Sequence, residues 1–205
     1  MLVALLVSFG LVVVVIGVLS ILAPIEVRYT ESIDVDAPVH DVFDDIRLQE
    51  RLMRWSVWPR ETGSQCAVDP GPAGADGTEG SRTVFVSNGR AVGYQRITRL
   101  VDGREIAMTL EGPGPPHEPA LTFELETLEP SRTRVHLHFV NRFVRPFNAI
   151  WHFAGLSTWT RELHRKDLAG LKAFSEPPHV DADGREVGRA SDLANPYAVA
   201  LPESA

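Results

Sequence analysis

The sequence is poor in cysteine, with Cys66 alone among 205 residues. A single cysteine excludes an internal disulfide framework and any cysteine-rich metal site, and it fits either redox compartment. A basic block is missing as well. Twenty Lys+Arg stand against 27 Asp+Glu, a net charge of −7, and the stretch Glu176–Ala205 supplies −4 of it through six acids and two arginines. The rest is near neutral and carries no electrostatic footprint for nucleic acid. No G-x-S-x-G elbow, P-loop or dinucleotide fingerprint occurs, and the glycines between Gly71 and Gly80 follow no phosphate-binding spacing. There is no internal repeat of repeat-protein period.

Charge is absent altogether from the first 25 residues. Leu2 to Ala23 is apolar apart from Ser8, Ser20 and two glycines. As a helix it would extend roughly 33 Å, enough to cross a bilayer core. In lipid the backbone must satisfy its own hydrogen bonds, which forces the helix despite its many valines, and Pro24 stops it. A cleaved signal peptide fits less well. There is no basic flank, the run exceeds the usual apolar core of a leader, and Pro24 follows the one small-residue site, Ala23. A buried core helix rarely lacks every polar contact over six turns. The expectation is a single-pass anchor over 1–24. The flanks give the positive-inside rule little to count, because Arg28 is offset by Glu26 and Glu31. The reading leans to an extracytoplasmic domain.

About 180 residues remain, the size of one domain plus a tail. Ile25–Asp36 alternates as a half-buried strand. Pro38 then opens a helix with the apolar stripe Val39, Val42, Phe43 and Ile46, for which Asp36 is a candidate cap. Leu48–Trp55 reads as a second short helix, and Asp69–Gly80 as turn chemistry throughout. Arg82–Ser87 turns at Asn88-Gly89 into Ala91–Leu100, a strong hairpin signal. Glu105–Glu111, Ala120–Glu129 and Arg132–Phe143 continue the series, and turn-separated strands of this kind argue an antiparallel sheet. Alternation points Ile106, Met108, Leu110, Leu121, Phe123, Leu125, Val135, Leu137 and Phe139 inward. It points Thr122, Glu124, Glu126, Arg134, His136 and His138 outward. Pro146–Phe174 reads as one long helix, the only element large enough to cover the apolar face. From 176 onward too few apolar residues remain to build a core, and a disordered acidic tail over 176–205 is expected.

These residues resemble the START-like (SRPBCC) superfamily, and within it the polyketide cyclase/dehydrase and lipid-transport group. The resemblance is carried by Ser32-Ile33-Asp34-Val35-Asp36-Ala37-Pro38-Val39-His40-Asp41-Val42-Phe43, by Trp55-Ser56-Val57-Trp58, and by Trp159, Leu163 and Asp167-Leu168-Ala169-Gly170-Leu171-Lys172. It spans about Val27 to Phe174 and is specific for fold rather than for function. It implies an α+β helix-grip fold over 25–175, an antiparallel sheet wrapped around a long C-terminal helix with a cavity between them. Members include lipid carriers, cyclases and hydroxylase components, with no catalytic signature common to all.

Candidate cavity residues are Phe85, Met108, Phe123, Phe139, His152, Leu156 and Trp159, since ligand pockets are mainly apolar with few polar groups. An ordinary filled core is the alternative. The first half of the closing helix is apolar all round (Phe147, Ile150, Trp151, Phe153, Ala154, Leu156), which means burial on both sides or contact with something apolar. Packing of Phe147 and Trp151 under the Asp69–Gly80 loop is the plainer account. At helical spacing His152 shares a face with Leu156, Trp159 and Leu163, which makes it the candidate polar or catalytic group. It has no second acid or base beside it. His136 and His138 form an H-x-H pair on one strand face, as a metal site requires, but Glu124 and Glu126 explain them as cross-strand charge pairs. No metal and no cofactor are expected. Trp55 and Trp58 read as a structural corner near the cavity mouth.

The function expected is membrane-anchored binding of a hydrophobic small molecule, a lipid by preference, with no nucleic-acid partner. An aromatic or polyketide cyclase would need an acid/base pair in the cavity. A ligand-free interaction module would show a filled core and an exposed apolar patch.

Overall fold

The computed structural model describes residues 1–112, 117–177 and 198–201, with only the backbone of Leu2. Alternating segments pair as strands β1 (Glu26–Val35), β2 (Gln65–Asp69), β3 (Arg82–Ser87), β4 (Arg90–Val101), β5 (Glu105–Glu111), β6 (His117–Glu129) and β7 (Arg132–Phe143). They form one antiparallel sheet in the order β1-β7-β6-β5-β4-β3-β2. The first strand thus closes against the last, and every other neighbour is a sequential pairing. The helices are α1 (Leu2–Leu22), α2 (Val39–Arg47), α3 (Gln49–Trp55), α4 (Trp58–Thr62), α5 (Phe147–Phe153) and α6 (Leu156–Ser175). The architecture is the α+β helix-grip that the motifs imply.

The inward residues assigned by alternation form the core with α2, α3 and the C-terminal half of α6. Ile106, Met108, Phe123, Val135 and Leu137 pack with Val42, Ile46, Trp55, Leu168, Leu171 and Phe174 in one buried cluster. The motif segments meet in space. Gly170 lies where a Cβ would stand 2.4 Å from the Trp55 carbonyl oxygen, so α6 can cross α3 closely only because this residue has no side chain. One turn earlier, Asp167 Oδ1 accepts from the Val57 N–H (2.7 Å) and the Ser56 hydroxyl (3.1 Å), tying down the exit of α3. Burial pushes the Asp167 carboxyl up to about 7 despite these donors.

Several sequence expectations are corrected. The helix expected over Pro146–Phe174 is two helices. Gly155 takes a left-handed conformation (φ 72°), ends α5 and starts α6 in a new direction. Asp36 does not cap α2, which begins after Pro38 without a side-chain cap. The Asp36 N–H instead donates to Glu176 (3.0 Å). Strand β2 and helix α4 lie in a stretch the periodicity left unassigned. The expected disordered tail falls largely outside the described residues. Of those described, Ala198 bridges Cys66, and the Val199 N–H donates to the Cys66 carbonyl (2.8 Å) at the β2 edge.

Helix α1 is exposed along nearly all its length, and Val3–Leu22 is long and apolar enough to cross a membrane, a test that a signal sequence also passes. Its C-terminal end is not loose. Asn148 of α5, 1% exposed, donates through Nδ2 to the Ser20 (2.8 Å) and Ala23 (2.9 Å) carbonyls and accepts from the Ser20 hydroxyl (3.0 Å). These bonds satisfy carbonyls that the end of α1 would otherwise leave open.

Candidate functional site

Beneath α5 and the first turns of α6, the sheet and helices do not meet, and a cleft of about 330 Å³ remains. Its floor is Leu110 and Glu111 of β5, His117 and Pro119 of β6, and Phe139 and Asn141 of β7. Phe85, Val92 and Tyr94 of β3 and β4 form one side, and Trp58, Trp151, Trp159, Thr160 and His164 form the helical roof. The volume lies at the lower end of the range for small-molecule pockets, and the lining is aromatic with a few polar atoms, as such pockets are. A second concavity of about 870 Å³ runs alongside α2 and is lined by residues that include Asp36, Asp41, Asp45, Glu50, Arg51, Arg54 and Asp76. Its charged walls do not suit an apolar guest.

His164 is the buried ionisable group of the cleft. Its ring packs on Phe139 (centroids 4.9 Å apart), Trp58 (5.8 Å) and Tyr29 (5.9 Å). The Tyr29 hydroxyl lies 2.9 Å from His164 Nδ1. With the phenol donating, as the stronger donor of the pair, the imidazole proton sits on Nε2. Burial holds His164 down at about 4, an effect that Glu31 partly opposes, so the ring is neutral at pH 7. Burial likewise drives the Tyr29 phenol well above its ordinary value. Farther along, Trp151 stacks on Phe143 (4.8 Å) and His117 (6.0 Å), while Trp58 and Trp159 meet edge to face (5.8 Å). Three buried polar atoms of cleft-lining side chains have no hydrogen-bond partner among the described residues: His164 Nε2, Asn141 Oδ1 and Trp151 Nε1.

Of the residues singled out from the sequence, Phe85, Phe139 and Trp159 line the cleft. Met108 and Phe123 face the same side of the sheet but lie deeper, two residues from Leu110 and four from Pro119 along their strands, inside the packed core. Leu156 is not among the lining residues. His152 is exposed with its ring against Phe153 (4.9 Å), and the left-handed Gly155 between α5 and α6 breaks the helical phase that would have put it on the face of Trp159 and Leu163. The histidine of α6 that lines the cleft is His164. Trp58, expected as a structural corner, is part of the wall. Trp151 packs on β7 rather than under the Asp69–Gly80 loop, and Ile150 and Phe153 stand 61% and 55% exposed.

Asn141 was legible in one respect. It is the polar residue in the inward series Val135, Leu137, Phe139, Asn141, Phe143. On the outer face, His138 Nε2 lies 3.4 Å from Glu124 and His136 Nε2 3.7 Å from Glu126, the cross-strand pairs expected. Their Nδ1 atoms hydrogen-bond the Thr30 (2.9 Å) and Ser32 (2.7 Å) hydroxyls. Among the described residues no cluster of three or more His, Cys, Asp or Glu could hold a metal.

The fold is similar to that of solved proteins at low identity. A protein from Nitrosospira multiformis matches with 20% identity over 73% of this chain and 96% of its own (TM-score 0.50). A conserved protein from Geobacillus kaustophilus matches with 11% identity over 71% and 93% (TM-score 0.51). A hypothetical protein from Helicobacter pylori matches with 13% identity over 74% and 88% (TM-score 0.51). At such identities the likeness is one of fold alone. No protein with a curated description matches the chain by sequence. The fold family is known for binding hydrophobic ligands. The family model described as "Activator of Hsp90 ATPase homolog 1-like protein" matches residues 36–165. That is more than half of the chain, which therefore belongs to this family, within the START-like (SRPBCC) superfamily.

Proposed function

We propose that the protein binds a hydrophobic small molecule, a membrane lipid or a lipid-derived compound, in the cleft between β4–β7 and α5–α6, while α1 anchors it in a bilayer. The cleft is the observation that carries this reading: about 330 Å³ walled by Phe85, Phe139, Trp58, Trp151 and Trp159. The anchor adds effective concentration without adding contacts. Two features favour a lipid over a soluble guest. The Asn148 hydrogen bonds join the end of α1 to α5, which supplies Trp151 to the roof of the cleft. The same short helix exposes Ile150 and Phe153, beside an anchor whose last residues, Ile21 and Leu22, are exposed too. An apolar face next to a span is suited to the bilayer interface.

A cyclase would have to move protons through the His164–Tyr29 pair, and a histidine held at about 4 is a weak base for that work. The interaction-module reading requires a filled core, and the cleft weighs against it.

The test is native mass spectrometry with lipid extraction on the full chain taken from its membrane. A near-stoichiometric apolar molecule is expected, lost in Leu110→Trp while the fold persists. A protein that floats with vesicles yet is empty and resists lipid loading defeats the ligand half of the reading. A loaded protein that an alkaline wash strips from the membrane defeats the anchor.

A further inference from the structure

The unpartnered polar atoms narrow the class of guest. Native interiors rarely leave buried polar groups without a partner, and those that do so in one place call for an explanation. Among the described residues such atoms occur elsewhere too (Ser81 Oγ, Ser157 Oγ), but three belong to side chains that line this one cleft, and His164 and Asn141 are 0% and 1% exposed. Their order along the floor follows from β7. Phe139, Asn141 and Phe143 are inward residues at successive steps of two, so about 13 Å separates the first from the last. His164 packs on Phe139 and Trp151 packs on Phe143, with Asn141 between. The polar atoms are therefore strung along the cleft rather than clustered at one end.

Their chemistry is equally restrictive. Trp151 Nε1 only donates, His164 Nε2 donates when Tyr29 donates to Nδ1, and Asn141 Oδ1 only accepts. Among the described residues that line the cleft there is no Lys or Arg, and their one carboxylate, Glu111, is engaged by Arg96 (3.0 Å) and by the Tyr94 hydroxyl. An anionic or cationic head would be buried without a counter-charge. We propose that the cleft selects an uncharged amphiphile with hydroxyl or carbonyl oxygens along its length, held by the His164 and Trp151 N–H groups and by the Asn141 carbonyl. This rests on the ligand-binding reading above and assigns the head-group chemistry of that same site.

The test uses the full chain in lipid nanodiscs with decane, 1-decanol and decanoate as probes. Intrinsic fluorescence reads binding, since Trp58, Trp151 and Trp159 of the four tryptophans line the cleft. Comparing wild type with variant at fixed lipid cancels partitioning of the probe into the bilayer. In the wild type, 1-decanol is expected to bind more tightly than either decane or decanoate. At least one of Asn141→Leu and His164→Leu, whichever residue meets the single hydroxyl, should weaken 1-decanol about 3- to 10-fold, the worth of one hydrogen bond, and leave decane unchanged. Asn141→Leu should also raise the Tm of the empty protein, because it removes an unpaired buried carbonyl while keeping the volume. A structural asparagine would do the reverse.

Equal effects of both variants on alcohol and alkane, or no effect on the alcohol, would overturn the head-group assignment while leaving an apolar binding site. A preference for decanoate would overturn it too. If no probe alters the fluorescence, the cleft is no binding site and the proposed function falls with it.

Discussion

The same three strands serve two different regions of this molecule. Toward α2, α3 and the end of α6, the inner face of β5–β7 carries Ile106, Met108, Leu121, Phe123 and Leu137, all in one buried cluster with Leu168, Leu171 and Phe174. Two residues farther along each strand, the face carries Leu110, Pro119, Phe139 and Asn141 around a cleft. The strand pattern does not change at the boundary; the cover does. Over the filled half Gly170 lets α6 sit on α3, whereas the open half is roofed by Trp58, by the first turns of α6 and by Trp151 of α5 beyond the Gly155 break.

That contrast breaks most visibly under truncation. Phe123→Ala should cost about 3–5 kcal/mol in a denaturant titration, since it empties a fully buried site between Trp55 and the sheet. Met108→Trp should likewise unfold or strain the domain by overpacking rather than merely block a ligand. A mild effect of either would mean that the cleft extends into the region described as filled.

The two halves also titrate in opposite senses. His164, held at about 4 against its ordinary 6.5, takes up a proton on unfolding in that window, so its contribution to stability is present above pH 6.5 and is lost as pH falls toward 4. Asp167, raised to about 7 from 3.8, releases a proton on unfolding, so its contribution falls as pH rises from 3.8 to about 7. Each slope is at most about 1.4 kcal/mol per pH unit, and between pH 4 and 6.5 the two oppose each other. His164→Leu should therefore leave a stability that declines with pH across that window, and Asp167→Asn one that rises. Denaturation midpoints that run parallel to wild type in both variants would remove the distinction.

Asn148→Ala should cost about 1–3 kcal/mol, because it leaves the Ser20 and Ala23 carbonyls buried and unpaired. The sharper readout is protease sensitivity of the α1–β1 junction, which should rise while the sheet stays protected. The smallest expected effect is that of Trp159→Ala on stability. The ring is 45% exposed, and its loss should cost under about 1 kcal/mol while weakening an apolar guest. A cost like that of Phe123→Ala would place Trp159 in the core instead.

Much of the fold was legible because period-two alternation states which side chains face inward, and because Asn88-Gly89 and Pro38 mark their turns by local geometry alone. Most of the inward residues named from alternation are buried as expected. The candidate site was legible only in part. Phe85, Phe139 and Trp159 were found by apolar character and parity, but parity cannot tell position 108 from position 110 on β5, where one is core and the other cleft wall. His152 was placed by extending a helical wheel across Gly155, and a single left-handed residue invalidates the wheel.

What the sequence determined by itself is local and periodic: an uncharged segment long enough to span a bilayer, seven strands' worth of alternation less one short strand, and the motifs of a helix-grip. Which polar groups lose water was settled only in three dimensions. Burial of His164, Asp167, Asn141 and Asn148 depends on elements up to 135 residues apart coming together, as the Tyr29–His164 contact shows. Desolvation is a property of the surroundings, and no window along the chain contains it.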